Sequence, residues 1–231
     1  MKIVIVHGQS HEGSTCLAAR ETARKIGGEV EEFFLPRDFD EPCRGCISCF
    51  NRDLTCCPHY SKLQRIEQAL LAADVLIFAS PVYVYHATGA MMNLLDHFGT
   101  WWMVHCPRPE MCRKQAVVIA TAAGGGMKST VRDMADSLEM WGMGRVYRIP
   151  QAVFTVSPKD IPAGKRKALH RKTDRVAAAV KCHAGESRMN HRAKKWFYIM
   201  RLMHRNGDKT TAEYAWWSKH GWFGKERPWK Q

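Results

Sequence analysis

Long apolar runs are missing from this 231-residue chain, and none approaches the roughly 20 residues that a membrane-spanning helix needs. The opening Met-Lys-Ile-Val-Ile-Val-His-Gly has the character of neither a signal nor a transit peptide; it reads as a buried strand running into a glycine turn. The loop that follows lacks Gly-x-Gly-x-x-Gly and lacks the Lys-Ser/Thr ending of a P-loop, so neither a Rossmann dinucleotide site nor an ATP site is supported. No recognised nucleic-acid motif is present. Acidic residues are scarce in one region only: residues 1–158 hold 16 Lys+Arg and 16 Asp+Glu, whereas residues 159–231 hold 19 and 6, so the whole excess of +13 belongs to the C-terminal part.

Cysteine is abundant by contrast. Nine cysteines without a secretory leader point to a reducing, cytoplasmic setting, where clustered thiols do metal or redox work more often than they form disulfides. Five of them, Cys43, Cys46, Cys49, Cys56 and Cys57, fall within fifteen residues. Three thiols at x2 spacing followed by a fourth suit iron–sulfur ligation better than a structural zinc site, which takes two separated pairs. The candidate ligands are Cys43, Cys46, Cys49 and Cys56, with Cys57 as the alternative fourth. A loop of free thiols is the competing reading.

Hydrophobic residues make up 45% of the chain, enough for a real core. Apolar runs at Lys2–His7, Glu29–Phe34, Val75–Ser80, Ala116–Ala122 and Arg145–Ile149 predict strands. Helical patterns near Ser14–Ile26, Lys62–Ala72, Ala87–Met103, Lys128–Met140 and Ala163–Cys182 separate or follow them. This alternation predicts an α/β fold with a five-stranded parallel sheet covered on both faces. Residues 1–183 form that domain, and 184–231 form a basic helical arm with a helix near His191–His204 and a tryptophan-rich end. Such an arm docks its tryptophans on a core or dimer surface, or else binds nucleic acid or an anionic membrane face.

Ligands of open parallel sheets gather at the carboxyl ends of the strands, so the loops there carry the functional expectation. The first, His7 to Cys16, offers hydroxyls and a helix N-terminus suited to a monophosphate, with Ser14 and Thr15 as the best donors. N-capping by Ser10 or Ser14 is the plainer reading of the same residues. The second, Ser80 to Thr88, contains a stiffening Pro81 and two aromatic walls, Tyr83 and Tyr85, for a planar ligand. The third, Thr121 to Met127, has three consecutive glycines that let backbone approach a flat ring.

These residues resemble the flavodoxin-like NAD(P)H-dependent FMN reductases, including the iron–sulfur flavoproteins. The resemblance rests on Gly8–Cys16, the Cys43–Cys57 run, the block Ala-Asp-Val-Leu-Ile-Phe-Ala-Ser-Pro-Val-Tyr at Ala73–Tyr83, Leu95-Asp96 and Ala122–Gly126, and it covers about residues 1–183. The ending from Glu213 to Trp229 also looks like the C-terminal arm of many clostridial-type members. It implies that Ser10, Ser14, Thr15 and Cys16, with His11 beside them, hold the FMN phosphate. It implies further that Pro81, Val82, Tyr83, Val84 and Tyr85 frame the isoalloxazine together with Ala123, Gly124, Gly125 and Gly126. Electrons would pass from NAD(P)H to a small-molecule or protein acceptor, with a 4Fe–4S cluster as an added relay and a homodimer or higher homo-oligomer as the assembly. Two departures stand out: His11-Glu12 replaces a common Pro-Arg pair, and Ser61-Lys62 stands near a usual Asp-Asp pair. The contrasting reading is a non-enzymatic flavin- or metal-binding module whose basic arm binds nucleic acid or an acidic partner.

Overall fold

The computed structural model describes residues 1–186 and 188–230. Five parallel strands, β1 (Lys2–His7), β2 (Glu29–Phe34), β3 (Val75–Pro81), β4 (Gln115–Ala122) and β5 (Arg145–Ala152), pair in the order β2-β1-β3-β4-β5. This is the flavodoxin-like strand order, in which the chain reverses direction across the sheet between β1 and β3. The expected five-stranded α/β sandwich is therefore the observed fold.

Side-chain alternation explains the layering. Val4, Val6, Leu76, Phe78, Ala116 and Val118 point to one face, under α3 (Tyr60–Ala72), α4 (Gly89–His97) and α5 (Met127–Met140). Their neighbours Ile3, Ile5, Val75, Ile77, Val117 and Ile119 point to the other, under α1 (Ser14–Ile26) and α6 (Ala163–Cys182). The central strands are buried on both faces, which is why they read as continuous apolar runs. A short α2 (Ser48–Asn51) lies within the cysteine segment.

One expected helix is shorter than the pattern suggested. In place of Ala87–Met103, α4 starts after Thr88, whose hydroxyl accepts the Met91 N–H at 3.2 Å, and ends at His97. The chain then tightens into a 3-10 turn, Gly99–Trp101, where Gly99 sits against the Phe50 ring and Trp101 is turned fully inward.

Beyond α6, α7 (His191–Asn206) and α8 (Ala212–Lys219) fold back on the same chain. Phe197, Trp217 and Trp222 are fully buried in a third core with Met103, Cys112, Met140 and Met189. The indole N–H groups of Trp216 and Trp217 donate to the carbonyls of Pro107 and His105 at 3.1 and 2.6 Å. The Arg201 guanidinium reaches the carbonyls of Trp222 and Phe223 at 2.8 and 2.7 Å. Among the described residues no helix is long and apolar enough to cross a membrane.

Candidate functional site: loops at the carboxyl edge

The parallel register brings the three expected loops to one edge: His7 lies opposite Ala79, and Pro81 lies opposite Thr121. Hydrogen bonds then lace them together. The Thr88 hydroxyl donates to the Gly8 carbonyl at 2.7 Å, tying the second loop to the first. The hydroxyls of Thr15 and Thr121 meet at 2.6 Å, tying the first to the third. The Ser129 hydroxyl, on α5, donates to the Tyr85 carbonyl and so ties the third to the second.

Within the first loop the expected donors have divided roles. The Ser14 N–H and hydroxyl both reach the Val156 carbonyl, at 2.9 and 3.0 Å, fastening the loop after β5 to the start of α1. Ser10 turns its hydroxyl to the Leu35 carbonyl at 3.2 Å. The N–H groups of Thr15 and Cys16 remain among the unpaired donors of the first helical turn. Burial pushes the Cys16 thiol up to about 11, so it stays protonated. Glu12 points out of the loop, where Arg20 holds it through two bonds of 2.8 and 2.9 Å and keeps its carboxyl below the usual range. Its carboxylate is thereby turned away from the cleft. The cleft itself is lined by His7, His11, Gly13, Thr15, Cys16 and Pro81. A larger hollow of about 770 Å³ between α1 and α6 shares only Gly13 and Cys16 with it.

The second loop closes as a two-residue hairpin, with Tyr83 and His86 exchanging backbone bonds of 2.9 Å in both directions. Val84 and Tyr85 at its tip have φ of 48° and 66°, a geometry usually given to Asn-Gly. A β-branched residue there is strained, and such strain gathers at ligand sites. Val84 is 90% exposed and Tyr85 67%, so the tip presents apolar surface to solvent. Asp133 braces its far side by accepting the Ala87 N–H at 3.1 Å.

The glycine loop meets this hairpin directly. Gly126 has φ of 84°, and a Cβ there would come within 2.6 Å of the Val82 side chain. At Gly125 a Cβ would sit 3.3 Å from the Tyr85 hydroxyl, whereas nothing lies within 4 Å of one on Gly124. Gly125 and Gly126 thus let the hairpin side chains pack directly on the glycine loop, while the backbone at Gly124 is left bare beside the aromatic wall, and these residues fit FMN. Asp133, Thr121 and Ser129, which brace the site, were not singled out as site residues in the sequence because each is an ordinary polar residue until the sheet assembles.

The cysteine segment is carried on α4. Asn93 accepts the Cys43 N–H at 2.9 Å and donates to the Glu41 carbonyl at 2.7 Å. Cys43, Cys46, Cys49 and Cys57 line one cavity of about 60 Å³, closed on the α4 side by Asp96 and His97. Cys56 does not line it, so the geometry places Cys57, the alternative fourth residue, with the other three. Hydrogen bonds from Ser48 hold the exposed Cys46 thiol below its ordinary value. Burial pushes Cys49 up, with the charges of Cys57 and Cys43 adding to it. Four thiols lining one cavity are, as a donor set, of the kind a cuboidal iron–sulfur cluster takes.

Comparison with known proteins places the chain in a family. The sequence profile of the NADPH-dependent FMN reductases matches residues 1–159. An iron–sulfur flavoprotein of Methanosarcina thermophila is 28% identical over 151 residues, 62% of this chain and 75% of that protein. Another, from Archaeoglobus fulgidus, is 26% identical over 100 residues, 42% of this chain and 48% of its own. Among solved structures, an NAD(P)H:quinone oxidoreductase from Methanothermobacter marburgensis superposes with a TM-score of 0.57 at 14% identity, over 78% of this chain and 97% of the other. By sequence, and with a fold to match, the chain belongs to the NADPH-dependent FMN reductase family, the NAD(P)H-dependent flavin oxidoreductases.

Proposed function

We propose that this protein binds FMN at the carboxyl edge of its sheet and passes electrons from NAD(P)H to a flat acceptor such as a quinone or a second flavin. The carrying observation is the convergence of a helix N-terminus, an exposed aromatic hairpin and a bare glycine backbone at one laced edge. The unpaired N–H groups of Thr15 and Cys16 and the His11 ring would receive the phosphate. Pro81 to Tyr85 and Ala123 to Gly126 would flank the ring. Bound flavin supplies the two-electron chemistry, so the chain needs no acid–base triad. Its residues position the ring, keep Glu12 away from the phosphate and leave one face open to nicotinamide or acceptor. The exposed Tyr83–Tyr85 tip favours a homodimer that covers it. The test is the full chain loaded with FMN and assayed for NADH and NADPH oxidation with quinone and flavin acceptors. A protein that binds no FMN, or that binds it without oxidising either nicotinamide, would defeat the proposal.

A second reading adds a 4Fe–4S cluster, supported by the cavity that Cys43, Cys46, Cys49 and Cys57 share. Asn93 lies five residues, about 7.5 Å of helix, beyond Thr88. A cluster held there would sit near enough to the flavin edge to exchange single electrons. Anaerobic purification with iron, sulfide and flavin determined together separates the readings. About four iron and four sulfide per chain, lost in Cys46→Ser, support the cluster, and background iron leaves FMN as the sole redox group.

A further inference from the structure

Two histidines that no thiol cluster requires are buried beside the cysteine segment. His59 is 8% exposed and His97 3% exposed, and together with the Cys57 thiol their ligand atoms lie within 4.8 Å of one another. His59 comes from the turn before α3 and His97 from the last turn of α4, so two separate elements aim imidazoles at one point.

The hydrogen bonds around the pair fix which nitrogens face each other. His97 Nδ1 donates to the Asn93 carbonyl at 2.8 Å, which leaves its Nε2 carrying a lone pair. That Nε2 lies 3.3 Å from His59 Nδ1. A tetrahedral ion with metal–nitrogen bonds of 2.0–2.1 Å spaces two nitrogens by about 3.3 Å. The remaining atom, His59 Nε2, is buried without a hydrogen-bond partner, and the Glu41 carboxylate lies 4.0 Å from it. If His59 Nδ1 merely donated to His97, its own Nε2 would be left as a buried bare acceptor facing a carboxylate. With a cation between the two rings, Nε2 carries the proton and faces Glu41 with the correct sign. Metal-bound histidines are ordinarily oriented in this way, one by a backbone carbonyl and the other by a carboxylate.

We infer that Cys57, His59 and His97 form a mononuclear site for a borderline-soft divalent cation of the Zn²⁺ class, separate in composition from any iron–sulfur cluster on the cysteine run. The donor set of one thiolate and two imidazoles suits Zn²⁺ or Co²⁺ and is too soft for Mg²⁺ or Ca²⁺. On binding, the Cys57 thiol releases its proton to solvent, its sulfur rotates onto the ion, and no electron is transferred. The fourth position opens onto the cavity that Cys49 lines. Cys57 cannot serve this ion and a cluster fully at once, so the two metals compete for it.

The test uses the full FMN-loaded chain, stripped of metal anaerobically under reductant and titrated with Co²⁺ alone. One Co²⁺ per chain is expected, with a sulfur-to-cobalt band in the near ultraviolet and visible bands of tetrahedral intensity, both erased by added Zn²⁺. H59Q and H97Q should each weaken Co²⁺ by ~10-fold or more, and C57S should remove the sulfur band. C43S and C46S should leave affinity and spectrum unchanged, although either would abolish a cluster. The inference is overturned if no stoichiometric Co²⁺ binds to the wild-type chain. It is equally overturned if C43S or C46S abolishes binding while the histidine variants retain it. Retained FMN and far-ultraviolet dichroism certify that each variant is folded. Should one histidine variant fail that check, the other decides together with C43S. FMN occupancy is read in the same samples, so loss of the cation and loss of the flavin site are separately visible.

Discussion

Single residues at this site show how strain and burial divide the chemistry. Val84 holds φ of 48° at the hairpin tip and is 90% exposed, so it receives little packing in return for its strain. Val84→Gly should relieve about 1–3 kcal/mol of strain while losing about 1 kcal/mol to the freer unfolded chain. Urea unfolding should therefore show a net gain of about 1 kcal/mol alongside slower turnover with flat acceptors. A destabilised variant would mean that the Val84 side chain packs productively. Thiol reactivity divides just as sharply. Ser48 stabilises the Cys46 thiolate, whereas burial holds Cys16 at about 11 and Cys112 at about 12. Brief iodoacetamide treatment of metal-free protein at neutral pH should label Cys46 and spare those two, as peptide mass mapping would reveal. His7 offers a pH dependence of definite sign. Burial lowers its pKa against a partly opposing Glu32, so the unfolded chain binds its proton more readily than the folded one. Stability should hold above the unfolded value of 6.5 and fall as pH drops below it. His7→Gln should flatten that decline in urea midpoints measured between neutral and mildly acidic pH.

At the scale of elements, the helix start at Ser14 carries two tasks, anchoring the loop after β5 and presenting N–H groups to the cleft. Replacing Ser14 and Thr15 together by Ala spares their N–H groups but frees the helix start from Val156 and Thr121, so FMN should weaken more than riboflavin through misplaced phosphate donors, by about 0.5–1.5 kcal/mol for each hydroxyl bond lost. Equal losses in paired titrations would place the phosphate elsewhere. Much of this layer was legible in the sequence. The runs at Lys2–His7 and Glu29–Phe34 and the helices Ser14–Ile26 and Ala163–Cys182 appear with the expected bounds, because each combines strong periodicity with a glycine or proline boundary. The glycine and tyrosine loops do converge on the expected edge, since strand direction alone places them there. Less legible was anything that depends on contacts distant in sequence. Apolar spacing continues past His97, so nothing local announced that Phe98 and Gly99 would break α4 and turn Trp101 inward. The choice between Cys56 and Cys57 depends on the 3-10 turn Leu54–Cys56, which spacing does not reveal. His59 and His97 are 38 residues apart and meet only because α3 and α4 cover the same face of the sheet.

For the molecule as a whole, the C-terminal arm is part of a core rather than a free appendage. Of the two surfaces expected for its tryptophans, a core or a dimer face, Trp217 and Trp222 take the core, being fully buried within one chain. Ending the chain after Asn206 would remove both and uncover Met103, Cys112 and Phe197. Loss of two buried indoles at about 3–5 kcal/mol each exceeds much of an ordinary domain's margin. The truncated protein should aggregate or melt well below the full chain in calorimetry, and a shortened chain with unchanged melting would refute that role. Charge follows the same division, because the neutral part of the sequence supplies the sheet edge and the cationic part supplies α6 and the arm.

The crowding of indoles in that third core gives the protein two optical reporters with separate addresses. Six of the eight tryptophans belong to or adjoin the arm, counting Trp102 and Trp196 with Trp216, Trp217, Trp222 and Trp229, while Trp101 and Trp141 lie beneath α4 and α5. Indole emission will therefore follow mainly the arm, and emission from FMN bound as proposed would follow the sheet edge. If the arm peels away before the sheet opens, the two colours will change at different denaturant concentrations, and a single sample will time both events.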